Sequence, residues 1–208
     1  MKYLAVIFDF DGTLANTIEA GAHIYNGIAE KKGFNMITRE NQLALRSMAP
    51  RSAIKKLGVK FYQIPKVALE IRNGLRKQLM DLKIFPGIPE TLSELKNKGL
   101  KIFLASSNSK ENVETFISQK NLGRFFDGIF CGSGVFGKSK TLHKLLKENG
   151  LDAAQTLFVA DEIRDIEAAR KENMAIACVT WGLNSRGALM QNKPDFIIDE
   201  PVQLLNIA

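Results

Sequence analysis

A continuous apolar run near the amino terminus most constrains how this chain can fold. The run, Tyr3–Phe8, has no alternating polar residues, and strands of that kind are buried on both faces, as they are in parallel sheets. Two acids two positions apart, Asp9 and Asp11, follow it directly, and Gly12 then lets the chain turn sharply. If extended backbone continues through Asp11, both carboxylates point to the same side. The sequence therefore predicts a buried strand that ends in a two-acid site.

Two carboxylates in one small site repel each other, which raises the pKa of one of them unless a cation absorbs the charge or one acid is kept as a proton donor. A hard ion such as Mg²⁺, held by carboxylates and by phosphate oxygens of a substrate, meets that need. The alternative is an acidic turn in which one Asp caps the next helix. That alternative explains one acid but not two on the same side.

Short apolar strands alternate with helical stretches along most of the chain, and helical connections between parallel strands are the simplest topology for that pattern. One long interval, from about Leu14 to Lys83, lacks strands and carries amphipathic helical segments instead. The pattern predicts an α/β fold with a helical insertion. The predicted strands after the first are 101–105, 128–131, 156–160, 175–179 and 195–198, and the predicted helices of the insertion are 17–32, 38–57 with a break at Pro50, and 64–82.

Length and composition exclude several classes of protein. A chain of 208 residues with 45% hydrophobic content can bury a real core. Because Lys2 alone precedes a short apolar run that Asp9 interrupts, we expect neither a signal peptide nor a membrane span, and a cytoplasmic location follows. The net charge of +7 suits anionic metabolites as well as nucleic acid. Because the sequence has no basic block interleaved with aromatic residues, we do not expect nucleic acid as a partner. We interpret Cys131 and Cys178 as small buried apolar residues.

Polar residues also follow later strands. Ser106–Ser109 comes at the end of the second strand, where a hydroxyl and free helix N–H groups can hold a phosphate, although a plain helix N-cap also explains such residues. If a helix starts at Asp161, then Asp161 and Asp165 lie one turn apart on one face, as a metal site needs. Acids in a first helical turn are also ordinary partners of the helix dipole. Taken by itself, Lys138 is interpreted as a surface lysine.

Taken in order, these segments resemble the four motifs of the haloacid dehalogenase (HAD) superfamily, and the resemblance runs from end to end. The matching segments are FDFDGTL, IFLASSN, the lysine of FGKSK, and FVADEIRD; the segment FPGIPETLSELKNKG is similar to phosphoglycolate phosphatase-like members. The resemblance implies a Rossmann-like core of doubly wound, mostly parallel sheet, built from residues 1–15 and 84–208. It also implies an α-helical cap domain, residues 16–83, that closes over the site.

The resemblance implies a role for each acid. Asp9 would attack the substrate phosphorus and become an aspartyl-phosphate, and Asp11 would protonate the leaving oxygen and then activate water. Thr13 would support Asp11 or the local turn. Mg²⁺ would sit on the Asp9 carboxylate, the Asp11 backbone carbonyl and Asp161, with Asp165 in or next to its shell.

The resemblance also implies the residues that hold the phosphoryl group: Ser106, Ser107, Asn108 and Lys138. Ser106 is preferred over Ser107 because it directly ends the apolar strand. Lys140 is a rival of Lys138, since the family's usual Lys-Pro-x-Pro is absent. Glu162 is left out of the metal shell.

In the insertion, Arg46 and Arg51 could meet an anionic tail of the substrate, although arginines on such a segment are more often exposed to solvent. We interpret His23, His143 and Trp181 as structural.

The implied function is a Mg²⁺-dependent phosphatase of the phosphoglycolate phosphatase-like branch, acting on a small phosphorylated metabolite. A phosphomutase is the nearest alternative, and a non-catalytic or nucleic-acid-binding module is a third. A dehalogenase is disfavoured because those relatives lack the acid that Asp11 provides. The oligomeric state, monomer or homodimer, stays open.

Overall fold

The computed structural model describes residues 2–132 and 137–208. Its centre is a six-stranded sheet, in which every neighbouring pair of strands is parallel, in the order β3-β2-β1-β4-β5-β6. This is the strand order of Rossmann-type sheets. The strands are β1 (Ala5–Phe8), β2 (Lys101–Ser106), β3 (Gly128–Cys131), β4 (Thr156–Ala160), β5 (Ala175–Val179) and β6 (Phe196–Ile198).

Both faces of the sheet are buried. In β1, Val6 and Phe8 pack into one hydrophobic cluster while Ala5 and Ile7 pack into another, as the two-residue period of a strand requires. Helices cover the two faces: α5 (Ile88–Asn97), α6 (Lys110–Gln119), α7 (Lys138–Asn149), α8 (Ile163–Lys171) and α9 (Arg186–Gln191). The predicted α/β fold with a doubly wound parallel sheet is confirmed.

All six predicted strands are present, with differences of one or two residues in the bounds of the first, second and last, the last beginning at Phe196 rather than at residue 195. Regular pairing begins at Ala5 rather than Tyr3, although Tyr3 is fully buried. The second strand runs one residue further than predicted and takes in Ser106.

Between β1 and α5 the chain forms only helices, turns and isolated bridges. The helices are α1 (Ile18–Lys32), α2 (Arg39–Arg46), α3 (Pro50–Lys56) and α4 (Ile64–Lys77). The break predicted at Pro50 is present, because proline fits the first turn of a new helix but not the interior of an old one. The predicted end of the last helix at Leu82 is wrong. Leu79 and Leu82 continue the apolar pattern and are buried in the core without being helical.

Helices α1, α3 and α4 share a hydrophobic cluster of their own, which includes Tyr25, Ala29 and Val67. We call residues 16–83 the helical insert; their separation as a cap domain stays a prediction. In the described part of the chain, no helix has both the length and the apolar character needed to cross a membrane.

The sheet order places one crevice for a ligand. Strand β1 lies between β2 and β4, so the connections leave it in opposite directions, and ligands of such sheets bind at the carboxyl ends of the strands at that point. Asp9, Ser106 and Asp161 all lie at that edge, at the ends of three neighbouring strands.

Candidate active site

The first acid is fixed in position by the sheet and by a lysine. Its backbone N–H donates to the carbonyl of Val159 at 2.8 Å, which continues the pairing of β1 with β4 for one more residue. The side-chain Oδ1 of Asp9 accepts hydrogen bonds from the N–H of Phe10 at 2.7 Å and from Nζ of Lys138 at 2.6 Å. The carboxylate is buried, and the ammonium group of Lys138 is its cationic partner.

Lys138 is buried at the first turn of α7, where its ammonium group also donates to the carbonyl of Ala105 at 3.1 Å. Burial alone would lower the pKa of Lys138, but the carboxylates of Asp9 and Asp165 outweigh it and raise that pKa. Lys140, the rival at this motif, is exposed. The geometry therefore favours Lys138. The first residue of FGKSK, Phe136, lies outside the described residues.

Three buried carboxylates converge at this edge of the sheet. Asp9, Asp161 and Asp165 each offer one oxygen, and the three oxygens lie within 4.8 Å of one another. Burial and then Glu162 and Asp9 raise the pKa of Asp161 well above its usual range. Burial likewise raises the pKa of Asp165 to about 7, although Lys138 opposes that shift. The protein thus places three acids where solvent cannot screen their charges, and the neutral forms of Asp161 and Asp165 are favoured in the absence of a cation.

The donor set fits a hard divalent cation. In the described part of the chain, neither carboxylate oxygen of Asp165 has a hydrogen-bond partner, although Oδ1 lies 3.8 Å from Nζ of Lys138. Buried acceptors of this kind are costly unless a ligand satisfies them. Three carboxylate oxygens are the ligands that Mg²⁺ prefers.

The route by which Asp161 reaches this group differs from the prediction. Helix α8 begins at Ile163, with Glu162 as its N-cap, so Asp161 precedes the helix and does not share a helical face with Asp165. Asp161 instead follows directly on β4, as Asp9 follows on the neighbouring β1. Glu162 forms an ion pair with Arg164 at 2.5 Å and is not a member of the three-carboxylate group.

Asp161 is held on several sides. Its Oδ1 accepts from the hydroxyl of Thr13 at 3.0 Å, and its Oδ2 accepts from the N–H of Leu183 at 2.7 Å. A Cβ added at Gly12 or at Gly182 would lie 2.1 Å from the Asp161 side chain, so both positions require glycine for space. The hydroxyl of Thr13 therefore supports Asp161, whereas the resemblance assigns this residue to Asp11 or the turn.

Asp11 occupies a different part of the site. Its half-buried carboxylate accepts from Nδ2 of Asn108 at 3.2 and 3.3 Å, and the side chain of Thr17 also hydrogen-bonds to it. Burial and then the charge of Asp9 raise the pKa of Asp11 to about 6. Its carboxylate is outside the three-carboxylate group. Thr17 was missed because no spacing pattern in the sequence links it to Asp11.

The segment after β2 presents polar groups beside Asp11. The N-cap of α6 is Ser109, whose hydroxyl accepts from the N–H of Asn112 at 3.3 Å. Ser109 therefore fills the capping role, and Ser106, Ser107 and Asn108 do not. The buried hydroxyl of Ser106 accepts from the N–H of Asn108 at 2.9 Å, which fixes the turn.

The helical insert contacts the core through the loop that follows β5. The guanidinium of Arg46 donates to the carbonyls of Leu183 at 3.0 Å and Gly182 at 2.8 Å. In return, Nδ2 of Asn184 donates to the carbonyls of Arg46 at 3.0 Å and Met48 at 3.3 Å. Arg46 is therefore half-buried and used in this contact, while Arg51 is exposed.

Asn184 joins this contact to the acidic site. Its Oδ1 accepts from the N–H of Ile163 at 2.9 Å, and its own N–H donates to the carbonyl of Asp161 at 3.3 Å. No sequence pattern indicates a role for Asn184, because its partners lie far away along the chain.

His23 and His143 are exposed. Nε1 of Trp181 donates to the carbonyl of Thr13 at 3.1 Å, as a structural residue would. Cys178 is buried, but Cys131 is only half-buried, because it ends β3 next to the sheet edge; the expectation of burial is wrong for Cys131.

Comparisons with known proteins agree with this geometry. The family described as haloacid dehalogenase-like hydrolase matches residues 6–179. Phosphoglycolate phosphatase from Synechococcus elongatus is 32% identical over 201 residues, which cover 97% of this chain and 95% of that protein. Pyrophosphatase PpaX from Bacillus cereus is 26% identical over 211 residues, which cover 100% of this chain and 97% of that protein.

The solved structure of a haloacid dehalogenase-like family hydrolase from Streptococcus pneumoniae superposes with a TM-score of 0.81 at 21% identity, covering 99% of this chain and 98% of that one. At that identity the likeness shows the fold. The family match spans most of the chain, from β1 to the end of β5, and takes in all four motifs. The chain therefore belongs to the haloacid dehalogenase-like hydrolases, and it is an enzyme of the phosphatase class within them.

Proposed function

We propose that this chain is a Mg²⁺-dependent phosphatase that hydrolyses a small phosphorylated metabolite through an aspartyl-phosphate on Asp9. The observation that carries the proposal is the contact of Asp9 with Lys138, 2.6 Å apart and buried beside Asp161 and Asp165. Attack by a carboxylate on a phosphate brings two anions together, so the site must offset negative charge.

Asp9 supplies the nucleophile in this mechanism. The N–H of Phe10 and the ammonium of Lys138 both bind Oδ1, which fixes the plane of the carboxylate before the substrate arrives. A side chain that is already oriented does not lose rotational freedom on reaction. One oxygen of the Asp9 carboxylate forms the bond to phosphorus, the ester bond to the leaving oxygen breaks, and water later releases phosphate from Asp9.

Asp11 moves the proton. Its raised pKa, about 6, lets the carboxyl group hold a proton near neutral pH and then give it up. The proton goes first to the leaving oxygen, and Asp11 then takes a proton from the attacking water. Asn108 and Thr17 hold the Asp11 carboxylate in place for both steps.

Asp9, Asp161 and Asp165 would hold the Mg²⁺ with their side chains, and Asp11 would contribute its backbone carbonyl. When bound, the ion supplies positive charge that offsets the carboxylates and the substrate phosphate. The unpartnered oxygens of Asp165 support this assignment. Thr13 and the N–H of Leu183 orient Asp161 toward the same point.

The phosphate would bind at the segment after β2. Ser106, Ser107 and Asn108 lie at the carboxyl end of the strand next to β1, close enough for Asn108 to contact Asp11. The helical insert would act as the cap and close over the leaving group, as its contacts through Arg46 suggest. The names of the two relatives make phosphoglycolate and pyrophosphate the first substrates to assay.

The test is release of inorganic phosphate from a panel of phosphorylated metabolites, with Mg²⁺ and with chelator. We expect release only with Mg²⁺, and none from Asp9→Asn, which keeps the size of the side chain but cannot act as the nucleophile. Lys140→Met serves as the control, because Lys140 is exposed and outside the site. Activity without metal, or activity that survives in Asp9→Asn, would contradict the mechanism.

A further inference from the structure

Arg72 brings a positive charge from the helical insert to the edge of the active site. It lies on α4, and its guanidinium Nη2 donates to the backbone carbonyl of Ser107 at 3.2 Å. Its own backbone carbonyl accepts from Nδ2 of Asn112 on α6, at 3.3 Å. The side chain is half-buried, so its position is defined by contacts with the core.

The charge of Arg72 has no acidic partner among the residues that the structure describes. A guanidinium has five N–H donors arranged to bind a carboxylate or a phosphate through two parallel hydrogen bonds. Arg76, one turn further along α4, provides a comparison because it pairs with Glu111 and both side chains are more than half exposed. Arg72 contacts the loop at the site, and among the described residues it has no carboxylate partner, whereas Arg76 has one.

A second polar group at the same place also lacks a partner. The hydroxyl of Ser107 is buried and makes no hydrogen bond within residues 2–132 and 137–208. A buried hydroxyl without a partner costs free energy unless a ligand or water satisfies it. The Ser107 hydroxyl and the Arg72 guanidinium belong to two different elements that meet at one loop.

In the proposed reaction, that loop lies on the side of the site where the leaving group departs. Ser107 is followed by Asn108, whose Nδ2 lies 3.2 Å from Oδ2 of Asp11, and Asp11 is the proposed proton donor to the leaving oxygen. A short substituent on that oxygen would therefore extend from Asp11 toward Ser107 and Arg72.

We propose that Arg72 and the Ser107 hydroxyl form a subsite for an anionic group on the leaving group, which leaves the side chains of Ser106 and Asn108 to the transferred phosphate. This inference rests on the proposed phosphatase function and narrows its substrates to phosphate esters or anhydrides whose short leaving group carries a carboxylate or a second phosphate. Both anions suit the planar guanidinium fork. Arg72 is a specificity-determining residue in this account, since it does not touch the reacting atoms.

The first test compares three substrates with short leaving groups: 2-phosphoglycolate with a carboxylate, pyrophosphate with a phosphate, and 2-hydroxyethyl phosphate with a neutral group. The wild type should prefer one or both anionic substrates over the neutral one. For each preferred substrate, we expect Arg72→Met to raise KM by about 10- to 100-fold. KM for 2-hydroxyethyl phosphate should stay within about twofold, and the preferred anion identifies carboxylate or phosphate as the natural group. A similar loss on all three substrates would show that Arg72 merely docks the insert, and would overturn the subsite.

Arg76→Met is the matched control, because it removes an arginine from the same helix and breaks a contact with the core. It should leave the preference for anionic leaving groups unchanged. Arg72→Lys keeps the charge without the planar fork, so it should retain part of the preference. A Lys variant with no more preference than the Met variant would contradict a role for charge.

A binding measurement separates this inference from the proposed function. Isothermal titration calorimetry in Mg²⁺ compares two anionic ligands, 3-phosphonopropionate with a carboxylate and methylenediphosphonate with a second phosphonate, with propylphosphonate, whose tail is neutral; none of the three is hydrolysed at phosphorus. The wild type and Arg76→Met should bind at least one anionic ligand about 10-fold more tightly than propylphosphonate, and Arg72→Met should bind that ligand and propylphosphonate alike. A wild type that prefers neither anionic ligand, or a preference that survives in Arg72→Met, would overturn the subsite. If no ester in the panel is hydrolysed, the phosphatase proposal fails, while this measurement still decides the subsite.

Discussion

Nζ of Lys138 lies 2.6 Å from Oδ1 of Asp9, and each side chain is only 4% exposed. Neither charge could be buried alone without a large desolvation cost, so each makes the burial of the other possible. The pair joins the end of β1 to the start of α7. It therefore belongs to the fold as well as to the chemistry.

Lys138→Met should leave three buried carboxylates with no lysine beside them. We expect the free energy of unfolding of the metal-free protein to fall by about 3–5 kcal/mol and phosphatase activity to be lost. Urea unfolding measures the first effect. The double variant Asp9→Asn/Lys138→Met should recover part of the stability, because one unpaired charge is removed as well. If the double variant lost the sum of the unfolding free energies lost in the two single variants, the two side chains would not depend on each other.

Mg²⁺ should stabilise the protein more at high pH than at low pH. Asp11 and Asp165 have pKa values of about 6 and about 7 in the folded protein, against 3.8 for an ordinary Asp, and the pKa of Asp161 is raised as well. Asp11 and Asp165 bind their protons more tightly when folded, so the stability that this tighter binding contributes is complete below about pH 4 and is lost as pH rises through about 6 to 7.

Mg²⁺ binds the deprotonated carboxylates and replaces the lost protons. Thermal unfolding with and without Mg²⁺ should therefore show a small rise in Tm near pH 5 and a larger one near pH 8. Asp165→Asn should reduce that difference. An equal rise in Tm at both pH values would contradict a metal site built from these acids.

Asn184→Ala should weaken metal binding without touching a metal ligand. The side chain of Asn184 holds the N–H of Ile163, which starts α8, and two carbonyls of the helical insert, and these contacts are lost in the variant. The backbone N–H that donates to the carbonyl of Asp161 is kept. Loss of such outer contacts typically costs about 10- to 100-fold in metal affinity. Calorimetric titration with Mg²⁺ or Mn²⁺ measures the metal affinity. The control is Asn149→Ala, which breaks a similar contact to the carbonyl of Leu145. Unchanged affinity in Asn184→Ala would contradict this role.

Gly182→Ala should disturb Asp161 directly, because a Cβ there would lie 2.1 Å from the Cβ of Asp161. We expect loss of Mg²⁺ binding and of activity in a protein that still folds, as circular dichroism would show. Gly187→Ala is the matched control: it meets nothing within 4 Å and lies in α9, so it should stabilise the protein by about 0.5–1 kcal/mol. A fully active Gly182→Ala variant would mean that Asp161 need not be held there.

The strand pattern and the motif residues could be predicted from sequence because they depend on local signals. Continuous apolar runs mark β3, β4 and β5 at the bounds that the structure has. Acids and hydroxyls directly after such runs lie at one sheet edge because parallel strands end there together.

Contacts between distant segments could not be predicted. Thr17, Arg72 and Asn184 have polar side chains of ordinary type at positions without periodicity, and their roles depend on how the helical insert packs against the core. The start of α8 was also misplaced. Asp161 and Glu162 both suit a first helical turn, but Asp161 stays outside the helix, where Thr13 and Leu183 bind it.

The central claim is that Asp9 becomes phosphorylated during turnover. The direct measurement is rapid acid quenching of the wild-type enzyme during hydrolysis of p-nitrophenyl phosphate with Mg²⁺, followed by peptide mass spectrometry. We predict one added phosphoryl group on the peptide that contains Asp9, at that residue, and none in Asp9→Asn. Turnover without any phosphorylated peptide, or a phosphoryl group on a different residue, would contradict the account.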